Sequence, residues 1–278
     1  VTVETVKTVE VQKEGQTIVV TATPEPVVAK EFNSKDPTTY IEVSFGDPDT
    51  LDSAFDYETA GTGLMQQTHD TLIYFNRENP NAFVPQLALE VPSMENGGIS
   101  ADGKTVVFKI RTGVKFHDGS DLTPTDVAFT FQRGMLQGGY DSPQWLLTEP
   151  LLGVGISDVG ELVGDGSAAG DTEKMLAMDP AELLRVCELV VSKVVADEAA
   201  GTVTFNLAQP WAPFLPTIAA HGWGAIQSKA WIGASGGWDG DCATWQNFYN
   251  KSSEQLNALP LGSTLMGTGP YMFDRWVP

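Results

Sequence analysis

Three acidic side chains and a histidine crowd into one short stretch of the sequence, and together they could support hydrolysis. His117 precedes Asp118, Asp121 and Asp126. A glycosidase needs two carboxyl groups across a cleft, one of them with a raised pKa. Here each acid falls in a turn or at a helix cap, and these positions explain it locally. We therefore favour structural roles over catalysis for this cluster.

The other residues that could carry chemistry give no metal or cofactor signal. His69 lies in a predicted helix, where a lone histidine is more often packed or on the surface than a ligand. The sequence has neither a cysteine cluster nor a His-x-x-x-His spacing, which disfavours a structural zinc site. We expect no metal and no cofactor.

The two cysteines leave two interpretations open. Cys187 and Cys242 could form one bridge, as a cysteine pair in an exported protein often does. Closing a loop of that length stabilises a fold by about 4 kcal/mol in the chain-entropy model. Alternatively, Cys187 is a buried thiol, because it lies on the apolar face of a helix predicted over residues 180–191.

The elements that must position these residues centre on residues 100–135. Alternating apolar residues over 106–110 predict a half-buried strand, and Gly113 turns the chain. Val114 and Phe116 resume the alternation, so we expect a strand pair. Thr123-Pro124-Thr125-Asp126 then has the layout of a capped helix start, and the apolar spacing beyond it predicts a helix that packs on those strands.

The residue identities in this stretch carry a family resemblance. DGKTVVFKIRTGVKFHDGSDLTPTDVAFTFQR resembles the signature region of family 5 extracellular solute-binding proteins, the peptide/nickel type that feeds ABC importers. Residues 202–219, TVTFNLAQPWAPFLPTIA, resemble that family's strand, proline and apolar segment. Gly267-Thr268-Gly269-Pro270-Tyr271 resembles its glycine-rich approach to a second lobe. The three matches occur in the family's order.

The resemblance implies a mixed α/β (α+β) fold: lobe one of a periplasmic-binding-protein-like type II fold, incomplete, with an inserted subdomain. It assigns residues 39–57 and 202–278 to an incomplete core subdomain and residues 58–201 to the inserted subdomain, with the second lobe absent. Residues 1–38 are low in complexity and form either a tether, which we favour, or an N-terminal hairpin. Because half of a two-lobed clamp cannot close, we expect only weak ligand binding by these 278 residues.

The resemblance also implies where the ligand lies. The loop with Leu51-Asp52 occupies the place of a family loop at the cleft, and Ser142-Pro143 resembles a turn where ring-bearing side chains face the ligand. Aromatic rings there would suit a permissive site, although Tyr140 and Trp145 could equally be core residues. The candidate ligand contacts are Asp49, Leu51, Asp52, Tyr140, Gln144, Trp145 and Trp223. The candidate hinge residues are Gly267, Gly269, Pro270 and Tyr271.

Composition limits the partners. The chain has 36 acidic and 16 basic residues and a formal net charge of −20, which disfavours a nucleic-acid or anionic-lipid surface. No apolar run reaches the length of about 18 residues that spans a membrane. The chain starts at Val1, with neither Met nor a signal peptide, so we expect a processed or trimmed product. The family resemblance implies membrane anchoring through a lipid on an N-terminal Cys. Residue 1 of this sequence is Val, so the anchoring rests on the resemblance alone.

We therefore expect an extracytoplasmic receptor, periplasmic or on the cell surface, that captures oligopeptides or similar small solutes. Its partner would be an ABC transporter permease; we expect a monomer without enzymatic activity. An oligosaccharide receptor of the same family is the first alternative, because the last third of the chain is rich in tryptophan. A secreted hydrolase is the second, and convergent acids with raised pKa values in one pocket would support it.

Overall fold

The computed structural model describes residues 8–13, 16–21, 35–44, 46–79, 81–138 and 143–277. Residues 1–43 and 44–278 are two compact units. In the first unit, β1 (Thr8–Lys13) pairs antiparallel with β2 (Gln16–Thr21). The pairing agrees with the hairpin interpretation of this region. Within the proposed tether of residues 1–38, residues 1–7, 14–15 and 22–34 lie outside the described residues.

The second unit alternates short strands with helices. Its strands are β3 (Ile73–Phe75), β4 (Phe83–Pro85), β5 (Thr105–Lys109), β6 (Val194–Asp197) and β7 (Thr202–Asn206). Its helices are α1 (Thr59–Thr68), α2 (Pro124–Gln137), α3 (Trp145–Leu152), α4 (Thr172–Leu176), α5 (Pro180–Lys193), α6 (Phe214–Ala219), α7 (His221–Gly224), α8 (Lys229–Ala234), α9 (Ser253–Asn257) and α10 (Pro260–Ser263). Short 3-10 turns lie at Val159–Leu162 and Trp245–Asn247.

The main sheet has the order β5-β7-β6, and both pairings are antiparallel. Val106 lies opposite Phe205, and Phe108 lies opposite Val203. These four side chains are buried on the face that meets α2, as the alternation of the sequence predicts. β3 and β4 form a separate short pair.

Helix α2 runs through the centre of the core. Its start is confirmed: the Asp126 carboxylate accepts hydrogen bonds from Thr123 N and Thr123 Oγ1, each 2.9 Å long, and Pro124 is the first helical residue. Phe131 packs edge-to-face on Phe205 with ring centroids 4.9 Å apart. Phe129 stacks on Trp238. Because opposite faces of α2 are buried, it is a central helix rather than an amphipathic surface helix.

The predicted strand pair is wrong. The expected pair between residues 106–110 and 114–116 does not form, since β7 occupies one edge of β5 and the 114–116 segment makes only an isolated bridge from Lys115 to Asp121. A strand forms only where a neighbour takes its hydrogen bonds, and local alternation does not identify that neighbour.

A disulfide joins Cys187 of α5 to Cys242, with Cα atoms 5.5 Å apart. Cys187 is fully buried among the apolar residues of α5. It therefore lies on the core face of the helix and also forms the disulfide. The glycine-rich residues 152–171 contribute to the core, because Val159 and Val163 in this segment are buried.

The main sheet lies across the predicted subdomain boundary at residue 201. β7 belongs by sequence to the predicted core subdomain, whereas β5 and β6 belong to the predicted inserted one. The three strands share one hydrophobic cluster that extends from Leu72 to Tyr249. The division into core and inserted subdomains stays a prediction.

Candidate ligand-binding site

A buried ion pair anchors the loop that is predicted to contact the ligand. Arg133 of α2 forms an ion pair with Asp52, and both side chains are 1% exposed. Arg133 Nη1 donates to Asp52 Oδ1 over 2.7 Å and to Gln227 Oε1 over 2.8 Å, and Gln227 Nε2 donates to Ser53 Oγ. Asp52 therefore points into the protein, where it positions the loop.

Leu51 is also turned inward. Its side chain is 2% exposed and packs with Met65 and Leu265, and its backbone N–H donates to Gly262 O over 2.8 Å. Asp49, by contrast, is exposed, and its carbonyl oxygen accepts a hydrogen bond from Asn257 Nδ2. Of the three loop candidates, Asp49 alone has its side chain available to a ligand.

An open cavity of about 550 Å³ lies beside this loop. The loop, the start of α1 and the approach to α9 provide its walls. The side chains with charge or a ring that line it are Asp49, Phe55, Asp56, Tyr57, Glu58 and Lys251. The cavity thus combines acidic groups and one ammonium group within reach of the same occupant.

Asp56 and Glu58 form a carboxyl pair at the base of this cavity. Burial and the adjacent Glu58 raise the pKa of Asp56 to about 8, so Asp56 is protonated at neutral pH. Glu58 caps α1 by accepting from Ala60 N (2.6 Å) and Gly61 N (2.8 Å), and Asp56 Oδ2 accepts from a threonine hydroxyl of α1. A Cβ atom on Gly61 would lie 2.0 Å from Asp56 Oδ1, so only glycine allows this close approach.

The protonated Asp56 makes the stability of the protein depend on pH. Its folded-state pKa is raised, so the stabilisation is fully present below the ordinary value of 3.8 and is lost as the pH rises towards about 8. We expect Asp56→Asn, which mimics the neutral acid, to remove a slope of up to about 1.4 kcal/mol per pH unit. Urea unfolding at about pH 5 and about pH 7.5 measures this difference. Asp49→Asn, on the exposed part of the same loop, is the matched control. If the free energy of unfolding changes equally with pH in the unaltered protein and in both variants, the raised pKa of Asp56 is refuted.

The remaining candidate ligand contacts follow α2 in the sequence, and two of them make hydrogen bonds within the protein. Gln144 is buried, donates to Ala54 O over 3.4 Å and packs on Gly134, where a Cβ would come within 2.8 Å of Gln144 Oε1. Trp223 Nε1 donates to Pro143 O over 2.6 Å. Trp145 is 38% exposed but does not line the cavity beside Asp49. Tyr140 lies outside the described residues.

The predicted hinge segment is bound tightly along its backbone. Gly269 N donates to Thr68 O over 2.9 Å, and Tyr271 N donates to Gln67 O over 3.1 Å. A Cβ atom at Gly267 would lie 2.1 Å from Thr68 O, and one at Gly269 would lie 2.6 Å from Thr68 C, so both glycines are needed for the close approach. The side chains of Pro270 and Tyr271 are exposed. A hinge role for these residues stays a prediction.

Sequence reasoning missed Arg133, Gln227, Asp56 and Glu58. A signal existed for Arg133, because a charged residue between apolar neighbours on both faces of a helix needs a buried partner. A signal also existed for Glu58, which precedes α1 at the N-cap position. Nothing in the sequence indicated that Asp56 would be buried.

Two short motifs match catalytic patterns, and their structural context excludes both functions. Residues 98–105 have the Gly-x-x-x-x-Gly-Lys-Thr spacing of a phosphate loop, but they lead into strand β5 and not into a helix N-terminus. Residues 233–237 have the Gly-x-Ser-x-Gly spacing of a nucleophile elbow. Their Ser235 is 5% exposed and caps the C-terminus of α8, whereas an elbow serine stands on a strand-to-helix turn.

The fold is mixed α/β and belongs to the periplasmic-binding-protein type II class. The solved structure of the binding protein AgaA with agropinic acid, from A. tumefaciens R10, matches with a TM-score of 0.51 and 21% identity, over 84% of this chain and 32% of that chain. The family model "Bacterial extracellular solute-binding proteins, family 5 Middle" matches residues 82–278. The chain therefore belongs to family 5 of the bacterial extracellular solute-binding proteins.

Curated relatives of the chain are named as peptide-binding proteins. Di/tripeptide-binding protein 4 of Pseudomonas aeruginosa strain UCBPP-PA14 is 30% identical over 222 residues, which are 77% of this chain and 32% of the relative. Di/tripeptide-binding protein 2 of the same strain is 28% identical over 202 residues, or 70% of this chain and 29% of the relative. The chain spans about a third of the length of these relatives.

Among the described residues, no helix is both long and apolar enough to cross a bilayer. The part of the chain that the structure describes also contains no group of three or more acidic, histidine or cysteine side chains arranged to hold a metal ion.

Proposed function

We propose that this chain is part of an extracytoplasmic receptor that captures small peptides or similar solutes for an ABC importer and performs no chemistry on them. The observation that carries the proposal is the family match over residues 82–278, with relatives named as di- and tripeptide-binding proteins. Its proposed partner is an ABC transporter permease, and it would act as a monomer, with or without a lipid anchor.

The cavity of about 550 Å³ is the proposed contribution of these residues to the ligand site. A short peptide at neutral pH is a zwitterion with an ammonium group at one end and a carboxylate at the other. Asp49 and Glu58 offer negative charge and Lys251 offers positive charge at the same cavity. This arrangement is complementary to a zwitterion, and charge complementarity of this kind gives specificity.

The sugar alternative is not proposed, because none of the described tryptophans lines the cavity of about 550 Å³. Trp238 and Trp245 are fully buried, and Trp211, Trp223 and Trp231 pack against the core. A sugar receptor stacks its ligand on exposed ring faces. The tryptophan content of the last third of the chain therefore gives no support to a sugar receptor.

The hydrolase alternative depends on the Asp56–Glu58 pair, because Asp56 has a raised pKa and both residues line the cavity of about 550 Å³. Both oxygens of Glu58 already accept hydrogen bonds from the backbone of α1, so Glu58 is a helix cap and not a free base. Among the acids considered first, Asp121 pairs with Lys115 and Asp118 accepts from Ser120. Each acid thus has a structural role, which supports the proposal of a non-enzyme.

Amide NMR with a dipeptide tests the proposal. Titration of the protein with L-alanyl-L-leucine should shift the amide resonances of Asp49, Tyr57 and Lys251, while the dipeptide stays intact. The N-acetylated amide of the same dipeptide, which lacks both terminal charges, should cause smaller shifts. Lys251→Met should reduce the response, and Lys104→Met, at an exposed lysine remote from the cavity, should not. Shifts caused by maltotriose in place of the dipeptide, or cleavage of the dipeptide, would contradict the proposal.

A further inference from the structure

All three histidines of the chain converge on one short segment. His69 directly follows α1, His117 lies in the turn before α2, and His221 begins α7. Each contacts either residues 266–269 or the end of α1 to which that segment is bound. The family match and the proposed peptide site assign no role to these rings.

His117 holds the segment through its ring. Its Nε2 lies 2.8 Å from Gly269 O, and Gly267 N donates to its Nδ1 over 3.5 Å. Its backbone N–H donates to Gly267 O over 3.0 Å. A neutral ring with the proton on Nε2 satisfies both ring contacts. A proton on Nδ1 would face the N–H of Gly267 and remove the acceptor.

His69 and His221 contact the same segment or the end of α1 to which it is bound. His69 is 4% exposed and lies so close to Gly267 that a Cβ atom there would be 2.7 Å from the His69 ring. His221 Nε2 donates to His69 O over 3.2 Å, and its Nδ1 is buried without a hydrogen-bond partner among the described residues. A second proton on His221 would therefore have no acceptor.

Burial disfavours the charged form of two of these rings, His69 and His221. Burial, and then the charges that His221 and His117 would carry, lower the pKa of His69 to about 3. Burial also lowers the pKa of His221, although the nearby Asp70 opposes this. Asp70 accepts from Thr268 Oγ1 over 2.9 Å, and Asp118 lies next to His117. Asp52 shares a small cavity with His69 but is paired with Arg133. Tyr74 contacts His221 edge-on.

We propose that His69, His117 and His221 form a pH-sensitive clasp, which holds residues 266–271 against the end of α1 at neutral pH and releases them in acid. The unfolded or opened segment exposes its histidines, which then titrate near the ordinary value of about 6.5. The closed state resists protonation, so acid favours opening below that pH. The clasp is independent of which solute the receptor binds.

Hydrogen exchange of the Gly269 and Tyr271 amides tests the clasp. After correction for the intrinsic exchange rate, their protection should fall about tenfold per pH unit below about pH 6.5 for each histidine that takes up a proton on opening. The amides of β5 and β7 should keep their protection over the same range, which separates local release from global unfolding. Protection at Gly269 and Tyr271 that does not change with pH, or that falls in parallel with the sheet, would overturn the proposal.

His221→Gln removes one titrating group and retains a donor for His69 O. One histidine contributes up to about a tenfold fall in protection per pH unit, and this contribution to the pH dependence of the Gly269 amide should be lost in the variant. An NMR titration of the histidine rings in the unaltered protein gives the result without any variant. The rings of His69 and His221 should become protonated together with the loss of Gly269 protection. Ring protonation with Gly269 still protected would overturn the clasp.

Discussion

Arg133→Met is expected to lower the free energy of unfolding by about 3–5 kcal/mol. Arg133 and Asp52 are each 1% exposed, so loss of the guanidinium leaves a carboxylate in the core. After this change, Asp52 Oδ1 retains the hydrogen bond from Ala54 N, which is 3.1 Å long. One backbone donor does not compensate the desolvation of a full charge.

Urea unfolding of matched variants measures this effect. Arg185→Met removes an arginine that is 51% exposed and paired with Glu182, and it should change stability by less than about 1 kcal/mol. The double variant Asp52→Leu/Arg133→Met removes both charges and should recover much of the loss. If Arg133→Met unfolds at the same urea concentration as Arg185→Met, the ion pair does not hold the loop.

The double variant Cys187→Ala/Cys242→Ala is expected to lose about 4 kcal/mol. The bridge closes a loop of 55 residues, and removing it restores that conformational freedom to the unfolded chain. Cys187 is fully buried and Cys242 packs at the edge of the core, so alanine at both sites leaves little unsatisfied polarity. Urea unfolding without reductant measures the loss.

Reduction provides the control for the disulfide prediction. Unfolding of the unaltered protein with a thiol reductant should approach the stability of the double variant, while the double variant itself should not respond to reductant. A double variant within about 1 kcal/mol of the unaltered protein would show that the bridge adds little beyond the packing of α5.

Local signals in the sequence predicted the helices better than the strand pairing. The cap at Thr123 and Asp126 fixed the start of α2, and the apolar face of α5 was read at the correct spacing. The partner of β5 was missed because it lies far along the chain in β7. Alternation shows that a segment is a strand, but it carries no information about which distant strand accepts its hydrogen bonds.

The candidate site was harder to predict because side-chain direction in a loop has no period. Asp49 and Asp52 are three residues apart, yet one is exposed and the other is buried against Arg133. Their partners lie 208 and 81 residues away in sequence. Tryptophan content misled for a similar reason: large rings mark core as often as they mark a ligand surface. Only tertiary contacts separate these outcomes.

The carboxyl pair at the cavity also has a small effect on how the folded protein migrates in an electric field. The formal net charge of −20 counts Asp56 as an anion. A pKa of about 8 makes that group neutral at pH 7, so the folded protein carries one negative charge fewer than its composition indicates. Its mobility towards the anode is accordingly lower than a sequence-based charge count gives, and denaturation at neutral pH releases a proton to the buffer.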